Sequence, residues 1–363
     1  MATNVTNYQC PSCTGPLHYG SESGKLECDY CGEKFEVATI ESIYEGREQA
    51  AANAAKEPNW NFTMNEWGED ASHIRAYSCP SCGAQLICDE TTAATSCPYC
   101  NNPTVIPAQL AGIFKPDFVI PFKVNKEAAK SALKNHYKGK KFLPSSFLKE
   151  NKIDEIKSIY VPFWLFNSET DANIHYRTTN TQAYTDGDEN VVITQYYHVV
   201  RQGNVHFEKI PVDGSTKMPD AHMDAIEPYD YQELVPFSTA YLPGYLADKY
   251  DVEAKECVER ANERIRMSAQ DALASTVTGY ATVTPESVAI DISAGEVKYA
   301  LLPVWMLNTT WKNKKFLFAM NGQTGKFIGD LPVDWKKFFL WLGGISLPLM
   351  VIIGLILFGG GIG

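Results

Sequence analysis

The pattern C-x2-C-x14-C-x2-C occurs twice in this chain, at Cys10, Cys13, Cys28 and Cys31 and again at Cys79, Cys82, Cys97 and Cys100. Thiolates spaced this way can meet one ion in a tetrahedron, because two C-x2-C turns face each other across a short hairpin. The spacing predicts two rubredoxin-like ribbons, over residues 1–40 and 77–106, each holding one structural Zn2+ through four cysteines. Gly15 or Gly32 and Gly83 sit where the tight turns around such sulfurs need a permissive backbone. An iron centre uses the same ligands, and disulfide chemistry also uses C-x2-C. Doubled four-cysteine sets with no nearby redox partner favour zinc over both, and a site with all four ligands committed has no open position for hydrolysis. Cys88 and Cys257 are left over and read as small buried side chains.

No other chemistry rises from the sequence. The seven histidines form no H-E-x-x-H pair, and there is no Walker A loop, dinucleotide fingerprint or nucleophile elbow. Gly322-Gln323-Thr324-Gly325-Lys326 has the look of a phosphate loop but lacks the following helix, and reads as a hairpin turn. The chain is therefore expected not to be an enzyme. Its formal charge is −11, and residues 1–76 carry five basic against twelve acidic side chains. That balance disfavours nucleic acid as a partner. The start MATNVTNYQC has no secretory character, and cysteine-rich metal sites suit a reducing compartment.

At the other end, Phe338 to Phe358 is uncharged and apolar, with Lys336 and Lys337 directly before it and no Lys or Arg after it. It reads as one transmembrane helix over 338–358, which by the positive-inside bias would place the chain in the cell membrane as a single-pass protein with its bulk cytoplasmic. Between the ribbons, Glu45 to Lys56 predicts a helix, and Trp60, Phe62 and Trp67 read as aromatics that dock rather than float, in a linker over 41–76. The remainder divides into 107–213, a connecting segment over 214–249, and 250–335. Asn125 predicts an N-cap for a helix that ends near Gly139, and Asp251 to Ala274 predicts a helix of about 24 residues. Strand-like runs flank both, with turns expected at Asp186-Gly187 and at Gln202-Gly203-Asn204. A weak repeat pairs Tyr160-Val161-Pro162-Phe163-Trp164-Leu165-Phe166-Asn167 with Leu301-Leu302-Pro303-Val304-Trp305-Met306-Leu307-Asn308. The expected fold class is α+β, with a body of two related α/β-mixed halves and an antiparallel sheet.

The doubled ribbons, Trp60 and Trp67, the Phe114–Val124 segment, the two Pro-x-Trp strands and Leu331-Pro332-Val333-Asp334-Trp335 together resemble bacterial proteins with a TFIIB-type zinc ribbon. Some of these have been misnamed as primosomal helicase-like. The resemblance covers most of the chain and implies a place in envelope-stress operons, beside phage-shock-protein-A-like and SPFH-domain (flotillin-like) proteins. The expected function is a membrane-anchored adaptor that recruits or positions those partners. The alternative is a nucleic-acid or transcription-associated zinc-ribbon protein tethered to the membrane.

Overall fold

The computed structural model describes residues 8, 10–12, 17–20, 23–28, 31–43, 60–92, 96–103, 105–108, 114–150, 155–293 and 295–359, without the side chains of 108, 148–150, 351, 352 and 354–359. The expected helix over Glu45–Lys56 lies outside the described residues. In chain order the strands are β1 (Leu17–Gly20), β2 (Lys25–Cys28), β3 (Lys34–Phe35), β4 (Asn61–Phe62), β5 (Ile74–Ser78), β6 (Gln85–Asp89), β7 (Ile106–Ala108), β8 (Phe118–Val119), β9 (Lys157–Asp186), β10 (Glu189–Asp213), β11 (Val235–Pro236), β12 (Leu246–Asp248), β13 (Thr282–Ile292), β14 (Glu296–Trp311), β15 (Lys314–Asn321) and β16 (Phe327–Gly329). The principal helices are α1 (Lys126–Tyr137), α2 (Ser145–Glu150), α3 (Asp220–Ile226), α4 (Val258–Ala274) and α5 (Trp335–Gly359).

With 42% of residues in strands and 25% in helices, the protein is mostly β, which corrects the α+β expectation. The reason lies in two strands. β9 has 30 residues and β10 has 25, and they form one hairpin turning at Gly187. Gln202-Gly203-Asn204 does not turn; β10 runs straight through it. A Gly in a strand needs no turn when its strand stays paired, and here β10 pairs with β9, where the Thr170 hydroxyl also donates to the Val205 carbonyl beyond the glycine. On the helical side, α4 is shorter than expected at 17 residues, because Glu253 to Cys257 form turns before it.

Two compact units share this chain. The first comprises 1–62, 166–210 and 258–297; the second comprises 63–165, 211–257 and 298–363. In the first, β13 pairs antiparallel with the later part of β9 from Thr282–Thr179 to Ile292–Thr170, with a bulge between Pro285 and Ser287. Helix α4 buries Ala261, Ile265, Ala269 and Leu273. Trp60 is held by an edge contact with Phe166, 5.0 Å between ring centroids.

In the second unit, β8 runs parallel to β14 and β12 runs parallel to β9, around a core that includes Ile120, Ile159, Val161, Phe163, Leu302, Val304 and Met306. Here the repeat takes a form that two separate halves do not describe. The Trp164 indole donates to the Val252 carbonyl at 2.9 Å, and Trp305 donates to the Val124 carbonyl at 2.7 Å. Trp164 packs on Tyr250, and Trp305 packs on Phe122. Gly214 donates to the Pro162 carbonyl and Gly322 to the Pro303 carbonyl, both at 2.8 Å. Each Pro-x-Trp strand therefore docks on the segment that leads into the other copy's helix, and β9 and β14 are hydrogen-bonded neighbours in one sheet. Asn125 caps α1 by accepting from Ala128 N at 2.9 Å, and Gly139 follows that helix at φ 75°.

The C-terminal run forms α5, but among the described residues no helix is long and apolar enough to cross a membrane. This overturns the expected transmembrane helix over 338–358 and the single-pass placement in the cell membrane with a cytoplasmic bulk. Lys336 and Lys337 make the start of α5 polar, and Pro348 stands inside the helix, where it removes a backbone donor.

Candidate metal centres

Among the described residues, three of the cysteine knuckles are built from one local geometry. Cys28, Cys79 and Cys97 each accept at their carbonyl from the amide four residues on, in Gly32 (2.9 Å), Gly83 (2.9 Å) and Asn101 (3.1 Å). Each also donates its own amide to the carbonyl five residues on, in Glu33, Ala84 and Asn102. The closing residue stands in the left-handed region, at φ 74°, 74° and 59° respectively. Glycine does this freely, and Asn is the side-chain-bearing residue that tolerates it best. Asn101 was the position that a search for glycines missed.

In the second ribbon the sulfurs of Cys79, Cys82, Cys97 and Cys100 all lie within 4.8 Å of one another. Cys79 to Cys100 and Cys82 to Cys97 are each 3.6 Å apart. Four sulfurs about 2.3 Å from a central ion would stand roughly 3.8 Å apart, so this set needs only a small expansion to accept one. In the first ribbon Cys10, Cys28 and Cys31 converge within the same limit, with Cys10 to Cys31 at 3.5 Å. Cys13 and Gly15 lie outside the described residues. Both clusters could hold a metal ion, and the soft thiolate donors suit a borderline transition metal over magnesium or calcium.

The thiols of the second ribbon are electrostatically unequal. Burial opposes ionisation at Cys79, yet the amides of Cys82 and Ser81 outweigh it and bring the thiol down to about 7. Burial pushes Cys97 and Cys82 upward. Beside them, Lys157 donates to Ser96 Oγ at 2.9 Å and to the Cys97 carbonyl at 3.0 Å. A cation there favours the thiolates that a metal requires.

Long-range contacts fix this ribbon in the second unit. Asn308 donates to the Pro98 and Tyr99 carbonyls at 2.9 and 2.7 Å, and Asn101 donates back to the Asn308 carbonyl at 2.9 Å. The Tyr99 hydroxyl donates to Asp248 at 2.5 Å, and Ser215 donates to the same carboxylate at 2.6 Å. β6 pairs with β12, so the ribbon's own hairpin is part of the large sheet. Sequence reasoning missed Tyr99, Lys157, Asp248 and Asn308. Only Asn308 left a trace, as the last residue of the repeated strand motif.

Cys88 and Cys257 join neither cluster. Both are buried, and the Cys88 thiol donates to the Thr92 carbonyl at 3.0 Å while burial raises it to about 11.

With this geometry, the chain is similar to uncharacterized protein YdjG of Bacillus subtilis (strain 168), 33% identical over 346 residues that cover 94% of each chain. The chain belongs to the YdjG family. No family model matches, and no solved structure matches.

Proposed function

We propose that this protein is a metal-organised adaptor rather than an enzyme, with one Zn2+ in each cysteine ribbon and a protein partner as its ligand. The observation that supports this most is the closed sulfur set of Cys79, Cys82, Cys97 and Cys100. Four protein ligands leave a zinc ion no position for water or substrate, so the metal shapes a surface instead of acting as a Lewis acid. Lys157, Asn308 and Asp248 hold that surface in a fixed orientation. The partners are the SPFH-domain and phage-shock-protein-A-like proteins that the family resemblance implies. The charge of −11 suits a protein partner better than a phosphate backbone.

The test is purification of the full chain from its own cells in mild detergent, with metal content and co-purifying proteins measured on the same sample. Two zinc ions per chain and stoichiometric SPFH or phage-shock-type protein are expected. Iron in place of zinc, or nucleic acid in place of a protein partner, would overturn the reading.

A further inference from the structure

On the strands beside the first ribbon, the first unit buries polar groups that the proposed adaptor role does not use. His175 on β9 is 2% exposed, and its Nδ1 stands 3.4 Å from Nε2 of His198 on β10. The two rings are tilted by 43° with centroids 5.2 Å apart. At that length the contact is a long hydrogen bond at best, beyond the roughly 2.7–3.2 Å usual for N–H donors to oxygen. Two imidazoles bound at about 2.0–2.1 Å to one tetrahedral ion have their nitrogens roughly 3.4 Å apart, which is the observed separation.

Oxygen donors share the strand face. Ser287 on β13 is the direct cross-strand partner of His175, so the two side chains project to the same side. Ser287 is 5% exposed, and its Oγ has no hydrogen-bond partner. Asn173 lies two residues before His175 and therefore on that face too, and its buried Oδ1 is likewise without a partner. Orphaned buried oxygens are rare, and a place for an ion or ordered water is one of the explanations for them. The bulge between Pro285 and Ser287 is a second departure from the regular ladder at this place. A route in exists as well: His198 lines a cavity of about 280 Å3 together with Pro11, Phe35, Arg177, Tyr196 and Glu286.

We propose that His175 and His198, with Ser287 Oγ and water completing the shell, form a third metal site for a divalent transition ion such as Zn2+. The donor set of two imidazoles and neutral oxygens is harder than a thiolate set, so this site binds more weakly than the ribbons and is the first to empty.

The proposal is independent of the adaptor reading and is tested on the full chain. Equilibrated with Co2+ at buffered free concentration, the protein should take up three ions. Two should give intense thiolate charge-transfer bands, and the third only weak visible bands. His175→Asn and His198→Asn should each bind two ions with the thiolate bands unchanged. Uptake by the unsubstituted chain of no ion beyond those that give thiolate bands, or a further ion that persists in both variants, would overturn the proposal. Should a variant also lose the thiolate bands, the unsubstituted chain decides. Imidazole nitrogen resonances of two histidines must then shift when Zn2+ is raised from two to three equivalents, and no shift overturns the site.

Discussion

The two ribbons share one ligand spacing and one knuckle geometry, yet they are held in different ways. The first is a three-stranded sheet, β1–β2–β3, with its own small core of Leu26, Ile40 and Ile43 against Tyr8, Leu17, Phe35 and Val37. One polar tie to the rest of its unit, among the described residues, is the Arg177 guanidinium donating to the Pro11 carbonyl at 3.1 Å. In the second ribbon the strands belong to the large sheet, and Tyr99, Pro98 and Cys97 are each tied to a residue far along the chain. The same metal motif thus serves as an appended module in one place and as a structural corner in the other. A metal site contributes to stability in proportion to what its ordered ligands hold in place.

The sharpest way to break this comparison is to remove one ligand from each ribbon. Cys97→Ser should destabilise the second unit by more than about 4 kcal/mol, or prevent its folding, since it disrupts a buried network as well as the metal site. Cys28→Ser should leave the main thermal transition in place and abolish one metal equivalent. Differential scanning calorimetry beside metal analysis reads both, and equal losses of Tm would erase the distinction.

A pH series sharpens the role of Asp248. Burial holds its carboxyl up at about 7, against the donors Ser215 and Tyr99 that favour the anion. A folded value above the unfolded one of about 3.9 means that the folded state binds the extra proton between them. Stability from this group is therefore complete below about pH 4 and is lost as the pH rises through about 7, by an amount on the order of a few kcal/mol. Asp248→Asn should flatten this part of the stability–pH curve in denaturant titrations, and an unchanged slope would remove Asp248 as its source.

Smaller effects are expected from single ties. Asn308→Ala removes the donor from two carbonyls of the second ribbon and should cost about 2 kcal/mol, with faster loss of one metal ion to a chelator. Arg177→Ala should cost under about 1 kcal/mol and leave the metal-release rate of the first ribbon within a factor of two, because its side chain is partly exposed. A larger effect of Arg177→Ala than of Asn308→Ala would reverse the assignment of appended and embedded ribbon.

The cysteine positions, the Asn125 cap and the hairpin at Gly325 were legible in the sequence because each depends on residues a few places apart. Asn101 was legible in principle, as a residue type that tolerates φ 59° after a C-x2-C turn. Strand lengths were not. β10 crosses Gly203 because a neighbouring strand offers partners on both sides of it, and no local signal encodes that offer. The apolar tail gave a long run in sequence, while the structure contains no described helix that meets the length and apolarity of a membrane span.

By itself, then, the sequence determined where metal can be held: a thiolate site needs four sulfurs at fixed short spacings, and chain geometry delivers them pairwise. Only the tertiary structure decided what each site anchors. Tyr99 meets Asp248 across 149 residues and Asn308 meets Pro98 across 210. The exchange of Trp164 and Trp305 between helix-leading segments is likewise a matter of packing. Such contacts form because buried donors and carbonyls must find partners wherever the sheet brings them together.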